Sequence, residues 1–348
     1  MKPIKIIVIG PGLIGKQHIR LVNENPRSAL AAIVAPDHAQ NHVIAAELGV
    51  PLFYDLSECL AHDLAGAAIL SSPNEFHTAQ GIACIEAAVP VLIEKPITAS
   101  VADGERLLEL AKTRGTKVLV GHHRAHSPLM SKAREAISTG RLGRLVSIMG
   151  SAQFHKPGRY FEDGPWRREV GGGPILINLI HEIGNFRSLC GEIVAVQAVT
   201  SSATRGFPVE DTVAINFIFA NGALGTFLLS DTAATAMSWE QTSGENPSYP
   251  SYAQENCYTV AGTRGSLAVP TMRLRYYPEG IEPSWWTPFS EEVLHVERRD
   301  PLACQLEHFL DVVEGKVEPL VSAEDGLCNL RVTEAIRKSA RDRQLVDL

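Results

Sequence analysis

The stretch VIGPGLIG sets Gly10, Gly12 and Gly15 in the pattern G-x-G-x-x-G, directly after an apolar run and ahead of an amphipathic one. Glycines so placed permit a tight turn and let backbone N–H groups approach a pyrophosphate, which then rests at the positive end of a helix. With Leu13 and Ile14 between them they form a candidate dinucleotide cradle. The acid that usually meets the ribose hydroxyls belongs at the end of the next strand, in AAIVAPDHAQ. The expected place holds Ala35, and the nearest acid is Asp37. No Arg or Lys stands there to meet a 2′-phosphate, so NAD is favoured over NADP. LSSPNEFH brings Ser72, Pro73 and Asn74 to a later strand end, along the cofactor. His77 follows in the first helical turn, either beside them or facing solvent. Glu94-Lys95-Pro96 follows VPVLI at another strand end. A lysine there faces the crevice, and partial desolvation beside an oxidised nicotinamide lowers its pKa, which suits it to hold a substrate hydroxyl and shuttle its proton. A surface lysine ahead of a turn proline fits the same position.

GGGPILINLIHEIGN contains His-Glu-x-x-Asn, one residue short of the zinc-peptidase pattern. On a helix, Asn178, His181 and Asn185 share one face, while Ile175, Leu176, Ile177, Leu179, Ile180 and Ile183 make the rest apolar. A polar stripe on a buried helix costs free energy unless its groups find partners. Substrate hydroxyls or other protein groups could be those partners. GHHRAH supplies His122, His123, Arg124 and His126, but no cysteine or carboxylate nearby completes a recognisable ligand set, so no metal is expected. His123 and Arg124 are set either at the nicotinamide or substrate end, or against local backbone groups. GPWRREV brings Trp166, Arg167 and Arg168 ahead of the histidine-bearing helix, where Arg167 by itself reads as half of a surface ion pair.

These residues hang on two segments of different rhythm. Through residue 122 short apolar runs alternate with helical stretches: strands at 4–9, 29–34, 67–70, 89–94 and 117–120, helices at 13–22, 38–48, 73–88 and 101–114. Asn74 is a candidate N-cap, and Ser100 with Asp103 resembles a capping box. Such alternation with continuously apolar strands implies a parallel sheet covered on both faces. From 123 to 348 the chain gives helices at 128–138 and 175–189, then consecutive strand-like runs such as VAINFIFANGALGTFLLS with a turn at Asn221-Gly222, then helices at 302–313 and 325–340. A mostly antiparallel sheet follows. The stretch 238–256 reads as a long polar loop. The fold class is therefore α/β: a dinucleotide-binding domain on a parallel sheet over 1–122, and a second, α+β domain with a mostly antiparallel sheet over 123–348.

Composition sets limits. Lys plus Arg is 32 and Asp plus Glu is 39, leaving a net charge of −7, which argues against nucleic acid or an anionic membrane as partner. No signal peptide and no membrane-length apolar run is read, and the six cysteines are scattered without a C-x-x-C pair, as in a reduced cytoplasmic protein.

VIGPGLIG, SSPNEFH, EKP and GGG ahead of a histidine-bearing apolar helix, in that order, resemble the glucose–fructose oxidoreductase/inositol dehydrogenase (Gfo/Idh/MocA) family. The resemblance implies a Rossmann domain over 1–122 for NAD(P), a domain with a large open sheet over 123–348 for substrate and oligomerisation, and NAD(P)-dependent oxidation or reduction of an alcohol on a sugar, cyclitol or cyclic diol. It assigns catalytic roles to Lys95 and His181, makes Trp166 and Arg167 substrate candidates, and implies homodimers or homotetramers through the open sheet. The family often carries aspartates four residues before and three after the histidine; here Ile177 and Gly184 stand there, with Asn178 beside the first. Asparagine can hydrogen-bond a hydroxyl but cannot take its proton, so proton handling falls to Lys95 and His181. The alternatives are a non-catalytic NAD(P)-bound sensor of the same fold and, from His-Glu-x-x-Asn, a metallohydrolase.

Overall fold

The computed structural model describes residues 2–348. Packing divides the chain into two units: residues up to His126 together with Pro301–Leu330, and Ser127–Asp300 together with Arg331–Leu348.

The first unit alternates β1 (Ile4–Ile9), α1 (Leu13–Glu24), β2 (Ser28–Val34), α2 (Ala39–Leu48), β3 (Leu52–Phe53), α3 (Leu56–Ala61), β4 (Ala67–Leu70), α4 (His77–Glu86), β5 (Val91–Glu94), α5 (Val101–Arg114) and β6 (Val118–Gly121). The strands form one sheet in the order β3-β2-β1-β4-β5-β6, every pairing parallel. Parallel strands covered on both faces need apolar residues at every position, and β1 shows why. Ile6 and Val8 point into a core with Ile19 and Val22 of α1, while Ile7 and Ile9 point into the opposite core with Cys84, Ile85 and Leu107. Ser100 caps α5 as expected: its hydroxyl accepts from the Asp103 amide and donates to the Asp103 carboxylate at 2.8 Å. Asn74 does not cap α4. The chain enters through a 3₁₀ turn, Asn74–Phe76, and the α-helix starts at His77, because Pro73 fixes the entry backbone one residue earlier.

The stretch 301–330, read from sequence as part of the second segment, packs with the first unit. Leu302, Leu306, Phe309 and Leu310 complete the core beside α1. The Val120 amide donates to the Val321 carbonyl at 2.9 Å, and Arg27 pairs with Asp311 and Glu314 at 2.7 and 2.6 Å.

The second unit holds α6 (Pro128–Ser138), β7 (Leu145–Gln153), α7 (Gly158–Glu162), α8 (Ile180–Cys190), β8 (Ile193–Ser201), β9 (Thr212–Phe219), β10 (Leu224–Ser230), α9 (Trp239–Thr242), β11 (Tyr258–Gly262), β12 (Gly265–Val269), β13 (Arg273–Tyr276) and β14 (Ser290–Val293). Beyond α10 (Pro301–Val313), α11 (Ala323–Asp342) starts in the first unit and ends in the second, followed by β15 (Val346–Asp347). The sheet runs β14-β13-β12-β11-β7-β10-β9-β8-β15 and is antiparallel except where β7 meets β10. Its centre, β7, is too broken by Ser147, Gly150 and Ser151 to stand out as a strand in the sequence. Gly150 is required: a Cβ there would lie 2.5 Å from the Phe186 ring and 2.6 Å from that of Phe227. Alternate residues of β9 and β10 are buried (Val213, Ile215, Phe217; Phe227, Leu229), packing one face of the sheet on α8 while the other stays open. Asn221 and Gly222 turn the β9–β10 hairpin, with Gly222 at φ +83. The 238–256 segment carries α9 but is otherwise irregular.

Candidate active site

The glycine turn fits a pyrophosphate. Gly10 sits at φ +83, and a Cβ on it would meet the Ser72 amide nitrogen at 2.6 Å; a Cβ on Gly15 would meet the Gly10 carbonyl at 2.1 Å. Ser71 holds the exit of β1, donating at 2.9 Å toward the Ile9 and Gly10 carbonyls. The twelve-residue helix α1 then follows Gly12 with no side-chain cap and no acid in its first turn. Its leading N–H groups and positive dipole end are therefore available to an anion.

Beside the turn, at the carboxyl ends of β1, β2 and β4, lies a cleft of about 470 Å³ lined by Ala35, Pro36, Tyr54, Asp55, Ser57 and Ser72 among others. Asp37, the acid expected to meet a ribose, is exposed at the rim and bonds His42 at 2.7 Å. The acid lining the cleft is Asp55, which also caps α3 through the Glu58 amide. The sequence signal for it lies one strand later than the place usually searched. Ser72 donates to Gln80 at 2.5 Å, and Pro73 and Asn74 are exposed. Leu13 is exposed at the head of α1, and Ile14 is half-buried. His77 does not face solvent: it is 1% exposed, with ring nitrogens 2.8 Å from the Pro96 carbonyl and 2.9 Å from that of Ser72. It thus ties the loop after β4 to the turn after β5.

That second turn carries Lys95. Glu94 ends β5 buried, its carboxylate 2.8 Å from His18 Nε2 and 3.2 Å from the Lys95 amide that donates to it. Burial pushes this carboxyl up, but the His18 hydrogen bond and the nearby positive charges outweigh it and leave Glu94 below its ordinary value. His18, on the buried side of α1 three residues after Gly15, is a positioning residue that motif reading passed over. Gly121 lets the Glu94 side chain through, since a Cβ would meet its carboxyl carbon at 2.9 Å. His123 belongs to the same charge cluster; burial, then Arg124 and Lys95, push its pKa down to about 3, so it stays a neutral ring. The other two histidines of GHHRAH point elsewhere: His122 Nε2 lies 3.3 Å from the Asn329 amide, and His126 packs on His308. Arg124 is buried. Among the described residues, no group of three or more His, Cys, Asp or Glu is placed to hold a metal ion.

In the second unit the expected helix over 175–189 opens instead with a π turn, Ile175–Leu179, before α8. Such insertions shift the facing of side chains by one residue and recur at functional sites. Here it separates the polar stripe. Asn178 accepts from Lys156 Nζ at 2.8 Å, whereas Asn185 donates to the Tyr258 hydroxyl at 3.0 Å. His181 is buried between them, next to a buried Glu182 that accepts a hydrogen bond from the Tyr258 hydroxyl. Glu210 receives the Ile175 amide at 3.1 Å and fills the space a Cβ on Gly173 would need. Trp166 is exposed. Arg167 stacks 3.9 Å over the Tyr160 ring and donates to the Tyr160 carbonyl at 2.5 Å. Lys156 gave no sequence signal beyond its charge, yet it is 7% exposed, and burial lowers its pKa to about 8.

A strand, a glycine turn and an uncapped helix, with a lysine at a neighbouring strand end, define a dinucleotide-binding oxidoreductase. The chain matches the model for the oxidoreductase family's NAD-binding Rossmann fold over residues 4–122 and the model for its C-terminal alpha/beta domain over residues 134–348. It belongs to the Gfo/Idh/MocA family. Inositol 2-dehydrogenase of Corynebacterium glutamicum is 29% identical over 152 residues, 43% of this chain and 45% of that relative, so the aligned stretch spans less than half its length. 1,5-Anhydro-D-fructose reductase of Ensifer adhaerens is 27% identical over 81% of this chain and 79% of the relative. The crystal structure of the WlbA dehydrogenase from Bordetella pertussis, in complex with NADH and UDP-GlcNAcA, superposes with a TM-score of 0.79 at 23% identity, covering 99% of each chain, a likeness of fold. Among the described residues no helix is long and apolar enough to cross a membrane.

Proposed function

We propose that the chain is an NAD-dependent dehydrogenase acting on a secondary alcohol of a sugar, cyclitol or related polyol, with nucleotide bound by residues 1–122 and substrate by residues 123–348. The observation that carries this reading is Lys95 at the end of β5, its backbone fixed by a Glu94 that His18 in turn holds. The cofactor supplies the acceptor for the substrate's hydride. Lys95 orients the hydroxyl oxygen and stabilises its developing negative charge, and His181 accepts its proton. Gly10, Gly12 and Gly15, with Leu13 and Ile14 between them, form the phosphate turn. Ser72, Pro73, Asn74, Glu94 and Pro96 line the cofactor, His77 braces them from behind, and Asp37 stands at the rim. His123 and Arg124 serve the substrate end, and Trp166, Arg167 and Asn178 border the substrate. A non-catalytic sensor would have no use for both Lys95 and His181.

The test is a panel of polyols and sugars with NAD and with NADP, followed by absorbance of the reduced cofactor. Turnover is expected, with NAD preferred because Asp55 in the cleft repels a 2′-phosphate. Saturable cofactor binding with no turnover across the panel would favour the sensor.

The chain acts as a homodimer or homotetramer through the open face of the second sheet. The support is a row of exposed apolar side chains there, Met149, Val199, Leu224 and Leu228. Light scattering should return a multiple of 37.7 kDa, and the pair Met149→Lys, Leu228→Lys should lower it. A monomeric parent chain would refute the assembly. A cytoplasmic location fits the buried thiols of Cys59, Cys84 and Cys190, none of which forms a disulfide.

A further inference from the structure

Around the residues just ahead of His181 the second unit gathers a lysine and three arginines. After β7 the chain delivers Lys156, which is 7% exposed and donates at 2.8 Å to Asn178, three residues before His181. Its ammonium also lies 4.9 Å from the centroid of Tyr160, the ring over which Arg167 stacks. Next to these, Arg205 lies over Phe161 at 4.3 Å, and Arg168 over Phe207 at 5.5 Å. The two phenylalanine rings are themselves in contact, at 5.3 Å.

The carboxylates acting on Lys156 are those of Asp231 and Glu240. Asp231 is engaged by Arg205, whose Nε donates to it at 2.7 Å, and stands 4.0 Å from Lys156. The Arg167 and Arg168 Nε groups are buried with no acceptor among the described residues. Buried guanidinium N–H groups left without an acceptor cost free energy, and a neutral polyol offers them only hydroxyl oxygens. A carboxylate accepts from an ammonium and a guanidinium together, through short charge-assisted bonds. A dianion fits less well, because Asp231 lies close enough to Lys156 to repel the second charge.

We propose that the substrate is an acidic polyol, a sugar acid or hydroxy acid, whose carboxylate is held by Lys156 and Arg167 while its alcohol is served by His181. This rests on the dehydrogenase reading above and narrows its substrate class.

The test pairs each neutral substrate with its acid (galactose with galacturonate, glucose with gluconate, glycerol with glycerate) and adds glucose 6-phosphate. NAD reduction and calorimetric binding to the NAD-loaded protein are both measured. The acid of at least one pair should exceed its neutral partner in kcat/KM by about 100-fold, the scale of two charged hydrogen bonds. Lys156→Met and Arg167→Gln, each with unchanged melting temperature, should raise KM for that acid at least about tenfold and shrink its preference. Equal or better use of the neutral partners, preference for the phosphorylated sugar, or an acid KM unmoved in both variants would overturn the proposal. If no alcohol on the panel turns over, the dehydrogenase reading fails instead, and calorimetry still decides whether an acid binds through Lys156 and Arg167.

Discussion

Lys95→Ala will lose about two to four orders of magnitude in kcat, the usual scale of a positioned proton-handling group, while binding NAD as the parent chain does. The separation is expected because the lysine does not build the cofactor turn: the backbone around Gly10 is fixed by Ser71 and Ser72. What the lysine contributes is a charge at the end of β5, held in place by the chain Glu94–His18. His181→Ala should show the same pattern, loss of turnover without loss of cofactor. Steady-state kinetics on the best substrate of the panel, beside a fluorescence titration with NAD, reads both quantities. Full turnover in either variant removes that residue from the mechanism.

Gly15→Ala will reverse the pattern and lose the cofactor. The added methyl would stand 2.1 Å from the Gly10 carbonyl oxygen and 2.8 Å from the Ser71 hydroxyl. A serine side chain can rotate away, but the carbonyl belongs to a turn already at φ +83 and cannot. Relieving the clash moves helix and turn apart, which misplaces the amides meant for the pyrophosphate. Overpacking of this kind costs about 1–3 kcal/mol, so NAD affinity should drop by about 10- to 100-fold. Calorimetric titration measures it. Parental affinity in this variant would show that the turn is not the phosphate site.

Much of this was legible from sequence because it follows from period and punctuation. VIGPGLIG between an apolar run and an amphipathic one specifies strand, turn and helix locally, and the Ser100–Asp103 box caps its helix as written. What was not legible depends on contacts distant in sequence. His18 and Glu94 are 76 residues apart and meet only because β1 and β5 are brought into one sheet. Lys156 and Asn178, 22 positions apart, meet across the short helix α7 and a series of turns. Asp55 stands outside every motif, and only the cleft wall brings it beside the glycine turn. The π turn at Ile175–Leu179 has no signature in composition, so the stripe of Asn178, His181 and Asn185 read as one face when its two asparagines serve different partners.

The return of residues 301–330 to the first unit bears on how the chain is made. During synthesis from the amino end, the strands of the first sheet leave the ribosome some two hundred residues before Leu302, Leu306 and Phe309, which cover one of its faces beside α1. Until then Ile6, Val8 and Ile33 lack part of their packing, and an apolar sheet face left open is a surface on which nascent chains aggregate. The nucleotide-binding unit is therefore sequential in its motifs but not in its assembly: it is finished by a segment made long after its strands.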